Sequence, residues 1–110
     1  MFEKNMSIAF LLDFYGEILN ERKRSVLDMY YNEDLSLAEI SDVIGISRQG
    51  VRDIIKKAEC ELTFYEDKLG LAQRFGEIKA SADRINTLST QFSLPSELIK
   101  EIQHLATIAQ

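Results

Sequence analysis

The side chains of this sequence that could do chemistry are gathered in one short stretch. In SRQGVRDIIKK, residues 47–57, Arg48, Gln49, Arg52 and Lys56 fall on the outward face of a predicted helix, with Ser47 at its start and Lys57 beside Lys56. Arginine and lysine suit phosphate oxygens, and arginine and glutamine also make paired hydrogen bonds to base edges. On duplex DNA, Gln49 and Arg52 are expected to read bases while Ser47, Arg48 and Lys56 hold phosphates; on RNA, Arg48, Arg52 and Lys56 are all expected to meet phosphates.

Around them lie the elements needed to present them. Residues 34–58, DLSLAEISDVIGISRQGVRDIIKKA, read as two short helices joined by a tight turn. Ser36 is an N-cap whose hydroxyl can accept from an orphan N–H of the first turn. Glu39 can reach back to the Ser36 N–H, which completes a capping box. Leu37, Ile40, Val43 and Ile44 share one helical face. Gly45 follows, where a left-handed backbone is cheap only for glycine. Ser47 can cap the second helix, and Val51, Ile54, Ile55 and Ala58 continue the apolar face. Ser41 is small where a crossing helix needs clearance, and Ile40, Ile44 and Ile46 complete a core around the turn. The pattern predicts a helix-turn-helix, whose second helix commonly enters the DNA major groove. Domains of this geometry also bind protein alone.

At 110 residues the chain can form one compact domain, or a small domain with an assembly arm. One proline, five glycines and 45% hydrophobic residues describe a globular chain. β-Branched clusters between regular turns are missing, so the expected class is all-α. No apolar run approaches the ~20 residues of a bilayer span. The stretch MFEKNMSIAF does not have the pattern of a signal peptide. The single cysteine, Cys60, cannot form an internal disulfide, and a reduced cytoplasmic setting without membrane insertion is expected.

Thirteen basic and eighteen acidic residues give a net charge of −5, which is awkward for a nucleic-acid binder. The charge is uneven, however. Residues 47–57 hold Arg48, Arg52, Lys56 and Lys57 against Asp53 alone, whereas residues 58–67 hold Glu59, Glu61, Glu66 and Asp67 and no base. Any nucleic-acid contact is therefore short and needs dimerisation to become tight.

Residues 2–19 read as a first helix, with Ile8, Leu11, Leu12, Tyr15, Ile18 and Leu19 at helical spacing. Phe2, Met6, Phe10 and Phe14 form a second, aromatic-rich stripe. Such a helix fits the centre of a core, or packs one stripe on a partner. Asn20 can cap a helix over residues 21–31 that turns Val26, Leu27, Met29 and Tyr30 inward. Arg22, Lys23 and Arg24 in its first turn are candidates for phosphate contact. Beyond Lys57, Val51, Ile55, Ala58, Leu62, Tyr65 and Leu69 make a heptad-like seam on one long helix. Gly70 ends or kinks it, and Gly50 inside it suggests close approach, of a neighbouring helix in preference to a ligand backbone. A second seam, Leu71, Phe75, Ile78, Ala82 and Ile85, continues through Leu88 and Phe92, opposite Gln73, Arg74, Lys79, Asp83 and Thr87. It must be covered, either within the chain or by the same helix of a second copy. Pro95 fits the first turn of a last helix striped by Leu98, Ile102, Leu105 and Ala109, with Ile99 and Ala106 beside it. The expected organisation is a helix-turn-helix domain over residues 1–69 and a helical dimerisation or packing arm over 70–110.

Catalysis finds no support in the sequence. His104 is a lone histidine on a polar helix side, so transition-metal spacing is absent. Nothing orients Cys60 and His104 as a nucleophilic pair, and no glycine-rich phosphate loop occurs. The carboxylates look like solvated helix faces. Neither a cofactor nor a small-molecule substrate is expected.

The stretch LSLAEISDVIGISRQGVRDIIKKAE is similar to region 4 of bacterial sigma factors, with a capped helix, a glycine turn, serine-arginine and a valine-centred second helix in that order. Together with FLLDFYGEILNERKRSVLDMYYNEDLSL before it, the chain more specifically resembles the YlxM-like family of small helix-turn-helix proteins of Gram-positive bacteria. Genes of that family lie beside those of the signal recognition particle GTPase and its receptor. The resemblance thus implies a regulatory role in protein targeting, with the particle's GTPase or RNA as partner. Arg52 and Gly50 depart from the aromatic residue and the alanine that the family pattern leads one to expect. The other reading is a dimeric transcription regulator that places two such helices in successive major grooves of duplex DNA.

Overall fold

The computed structural model describes residues 6–109, and among these every regular element is helical. Helix α1 spans Met6–Tyr15, α2 Glu21–Tyr31, α3 Leu37–Ile44, α4 Arg48–Leu69, α5 Leu71–Ser89 and α6 Ser96–Ile108. The helices group into two compact units that divide between Leu69 and Gly70.

In the first unit α4 is the central helix, and α1, α2 and α3 each pack against it. Its seam of Val51, Ile55, Ala58 and Leu62 is fully buried, whereas Tyr65 is half-buried and Leu69 exposed. Around the seam lie Ile8, Leu12, Tyr15, Val26, Leu27 and Ile40. The first helix therefore does not occupy the centre. It also stops short of the predicted residue 19: after Tyr15 the backbone tightens into a 3-10 turn, Gly16–Ile18, and then extends through Leu19. Gly16 is buried, and a Cβ there would stand 3.3 Å from Leu12 Cδ1. A side chain at this turn would require Leu12 to give by a few tenths of an ångström. Phe10 and Phe14 of the second stripe are exposed; Phe2 and the Met6 side chain lie outside the described residues.

Local chemistry sets the other boundaries. Asn20 Oδ1 accepts from the Lys23 N–H at 2.8 Å to start α2. Before α3, Ser36 Oγ accepts from the Glu39 N–H and the Ser36 N–H donates to Glu39 Oε1, both at 3.0 Å, so the capping box is closed. Gly45 ends α3 with φ +76°.

Three carboxylates of the acidic stretch after Lys57 are not a solvated face. Glu59 accepts from the Tyr31 hydroxyl and Glu66 from the Tyr15 hydroxyl, each at 2.6 Å. Glu61 accepts from Lys23 Nζ at 2.8 Å and from the Tyr65 hydroxyl at 2.6 Å. All three glutamates are half-buried. These bonds tie α1 and α2 to the flank of α4. Glu61 is held more acidic than an ordinary glutamate by the bond from Lys23 and then by that from Tyr65. The same carboxylate pushes the Tyr65 hydroxyl upward.

The second unit is a helical hairpin of α5 on α6. Gly70, at φ +61°, immediately precedes α5. Pro95 sits at the cap position of α6, one residue before its predicted place in the first turn. Of the expected α5 seam, Ala82 is buried and Phe75 half-buried, while Leu71, Ile78 and Ile85 are exposed.

Candidate nucleic-acid interface

The turn between α3 and α4 is locked by a bond that the sequence reading did not single out. The Ser41 hydroxyl donates to the Ile46 carbonyl across the turn. Its small size gives clearance, and its hydroxyl also fixes the chain's path. Ser47 Oγ accepts from the Gly50 N–H at 3.0 Å and so caps α4; its proton remains available to donate. A Cβ at Gly50 would lie 3.2 Å from Ile46 Cδ1 and 3.3 Å from Ser47 Oγ. The glycine therefore lets the turn fold under the first turn of α4. What it admits is the preceding Ile46 and Ser47, and not a neighbouring helix as expected.

With the turn fixed, the first turns of α4 present Arg48, Gln49, Lys56 and Lys57 as exposed side chains and Arg52 as a half-buried one. The first turn carries no acid, so the positive end of the helix dipole adds to the arginines. One acid interrupts the face: Asp53 accepts from Gln49 Nε2 at 3.0 Å. Gln49 is thus oriented, with its amide oxygen left to pair outward. A group here can hold phosphates and pair with base edges, and Asp53 repels a phosphate placed directly over it.

The basic residues of α2 do not form one patch. Lys23 is bonded to Glu61. Arg24 shares a surface depression with Asp13, Glu17 and Asp28, and its stem lies against Gly16. Arg22 is exposed. Two of the three therefore lie among carboxylates, an arrangement set by helix packing that sequence spacing does not reveal.

A groove of about 510 Å³ that the sequence did not signal runs beside α4, lined by Ile8, Lys56, Glu59, Cys60, Thr63, Phe64 and Asp67. It begins where the basic face ends. Cys60 is exposed there, and His104 is exposed on the second unit. Among the described residues no group of three or more His, Cys, Asp or Glu is placed to hold a metal ion, and no helix is long and apolar enough to cross a membrane.

Comparison with known proteins agrees with this geometry. Residues 2–105 match the model of the UPF0122 family, described as "Putative helix-turn-helix protein, YlxM / p13 like". A UPF0122 protein of Thermoanaerobacter sp. (strain X514) is 41% identical over 102 residues, covering 90% of this chain and 87% of the relative. One from Bacillus thuringiensis is 38% identical over 102 residues, 93% of each chain. One from Clostridium kluyveri is 54% identical over 71 residues, 64% of each.

Proposed function

Because the chain belongs to the UPF0122 family of YlxM/p13-like helix-turn-helix proteins, we propose that it is a non-enzymatic regulatory protein that contacts nucleic acid through the first turns of α4. The observation that carries this reading is the set of exposed Arg48, Lys56 and Lys57 around Gln49 and Arg52, on a helix whose entry is fixed by the Ser41–Ile46 bond. In it Arg48, Lys56, Lys57 and the Ser47 hydroxyl hold phosphates, and Gln49 and Arg52 meet bases. Arg22 is the member of its triplet best placed to add a phosphate contact. The protein works in the cytoplasm, as a homodimer.

The family resemblance supports a role in the signal recognition particle pathway, with the particle's RNA as the nucleic acid and its GTPase as a protein partner. The oriented Gln49 favours a second reading, base recognition in duplex DNA by a transcription regulator. One competition separates them. Labelled protein is offered the assembled particle with excess genomic duplex, and then the reverse. Capture on the particle despite the duplex supports the first reading, and capture on the duplex alone the second. In either case Arg48→Ala/Arg52→Ala should weaken binding. On duplex DNA each lost phosphate contact should lower the salt dependence by about 0.9 in logarithmic slope. Undiminished binding of the double variant would sink the proposed contact.

A further inference from the structure

The second unit has little core for the apolar surface it carries. Its buried side chains are Ala72, Ala82, Ile102 and Ala109, three of them alanine, while Ile78, Ile85, Leu88, Leu98 and Ile108 are each at least 40% exposed. Units of about 40 residues rarely stand on their own core, and this one leaves most of its larger apolar side chains exposed, with Ile102 the one that is buried.

Two of those side chains, Ile85 and Ile108, meet in one groove between the helices, and helical spacing extends the set. Ile78 and Ile85 recur a heptad apart on α5, as do Leu98 and Leu105 on α6. A groove of about 400 Å³ brings Ile85 of α5 together with Ile102, Leu105 and Ile108 of α6, with Glu101 and His104 at its rim.

Charge indicates what covers this face. Up to Leu69 the chain has nine basic and fourteen acidic residues; from Gly70 on it has four of each. The whole net charge of −5 therefore belongs to the helix-turn-helix unit, whose copies repel one another, while copies of the hairpin do not. Within the hairpin the surplus signs differ. Helix α5 sets Arg74, Lys79 and Arg84 against Glu77 and Asp83, and α6 sets Glu97 and Glu101 against Lys100. A second copy that lays its α6 on α5 matches the basic helix with the acidic one, twice over, by two-fold symmetry.

We propose that the open face of the α5–α6 hairpin is a homotypic interface, in which α5 of each copy packs on α6 of the other and closes a four-helix bundle around Ile78, Ile85, Leu98, Leu105 and Ile108. The proposal rests on the dimeric reading above and supplies its interface. It differs from a seam of α5 alone by drawing three of its five apolar side chains from α6.

Sedimentation equilibrium of the full chain tests it. The wild type is expected at twice the 12.6 kDa chain mass, and Ile85→Glu/Leu105→Glu at the single mass. Ile78 is 48% exposed in one copy, so Ile78→Asn removes little from a monomer's own packing. It should still weaken the dimer tenfold or more. As a control, Phe10→Glu/Phe64→Glu alters exposed apolar residues of the first unit and should leave the dimer intact. Arg48→Ala/Arg52→Ala should leave the mass unchanged, which keeps nucleic-acid binding separate from assembly. A wild type at the single mass overturns the dimeric reading and this interface with it. A dimer that survives both hairpin variants, or that the first-unit control abolishes, overturns the interface alone.

Discussion

The two units cover the apolar sides of their helices in different ways. In the first, α4 is enclosed by three other helices, and Val51, Ile55, Ala58 and Leu62 are removed from solvent. Its flanking carboxylates are tied inward to Tyr15, Lys23, Tyr31 and Tyr65. In the second, two helices pack on each other with Ile102 as the one large side chain that is buried, and Ile78, Ile85, Leu88, Leu98 and Ile108 stay exposed. The difference bears on charge as well as on stability. The acidity of the first unit does not oppose a nucleic-acid role as simply as −5 suggests, because residues 47–57 hold four basic residues against Asp53 alone. The basic turns at the start of α4 remain locally positive. An acidic protein can keep a basic contact face when its acidic residues are segregated from it.

The most direct way to break the comparison is to ask whether the units unfold separately. All four tyrosines, Tyr15, Tyr30, Tyr31 and Tyr65, lie in the first unit, and the chain has no tryptophan. Tyrosine fluorescence therefore follows the first unit alone, while far-ultraviolet circular dichroism follows both. In urea, Leu62→Ala should lower the stability seen by fluorescence by about 2–5 kcal/mol, because it opens a cavity in a fully buried seam. Ile102→Ala should leave that transition within about 0.5 kcal/mol of the wild type and lower only the dichroism of the hairpin. A fluorescence transition that responds to both substitutions would mean that the units fold as one.

A smaller effect sharpens the account of the first unit. Gly45 stands at φ +76° with open space around its missing side chain. Gly45→Ala should therefore cost about 1–2 kcal/mol through backbone conformation alone. The fluorescence midpoint should fall with no change in the hairpin signal. If the loss is negligible, the turn relaxes, and the fixed presentation of Arg48 and Gln49 loses its basis.

How much of this was legible follows from sequence distance. The capping box of Ser36 and Glu39, the left-handed Gly45 and the seam through Leu62 are local chemistry or simple periodicity, and the sequence displays them directly. The end of α1 was hidden because Ile18 and Leu19 prolong the apolar period past Gly16, whose role depends on the side chains of Leu12 and Arg24 packing over it. The bonds of Tyr31 to Glu59, Lys23 to Glu61 and Tyr15 to Glu66 join residues 28, 38 and 51 positions apart, so no spacing rule could pair them. Lys23 consequently looked like part of a phosphate-binding triplet. Around the proposed nucleic-acid face, the identity of the basic side chains is legible. The bond from Gln49 to Asp53 is also at helical spacing, and was recognisable only once Asp53 was seen as a partner and not merely as a stray charge.

The smallest effect tests those inward-facing carboxylates by pH. Glu61 is more acidic in the folded chain than its ordinary 4.5 because Lys23, and then Tyr65, bond to its charged form. The native state thus binds fewer protons here than the unfolded one. The resulting stabilisation is complete above 4.5 and is lost as pH falls through the lower, folded-state value. Lys23→Met removes the leading cause, so its fluorescence-detected stability should vary less on the acid side than that of the wild type. At neutral pH the cost should stay below about 1 kcal/mol, since both partners keep solvent contact. Tyr65 runs the other way. Its hydroxyl is raised above 10.0 by Glu61, so its contribution is complete below 10.0 and fades as pH rises through the raised value. Tyr65→Phe should therefore remove that alkaline loss and only part of the acid one. An acid dependence as steep in Lys23→Met as in the wild type would show that Lys23 is not what holds Glu61, and would return Lys23 to the set of cations available for phosphate.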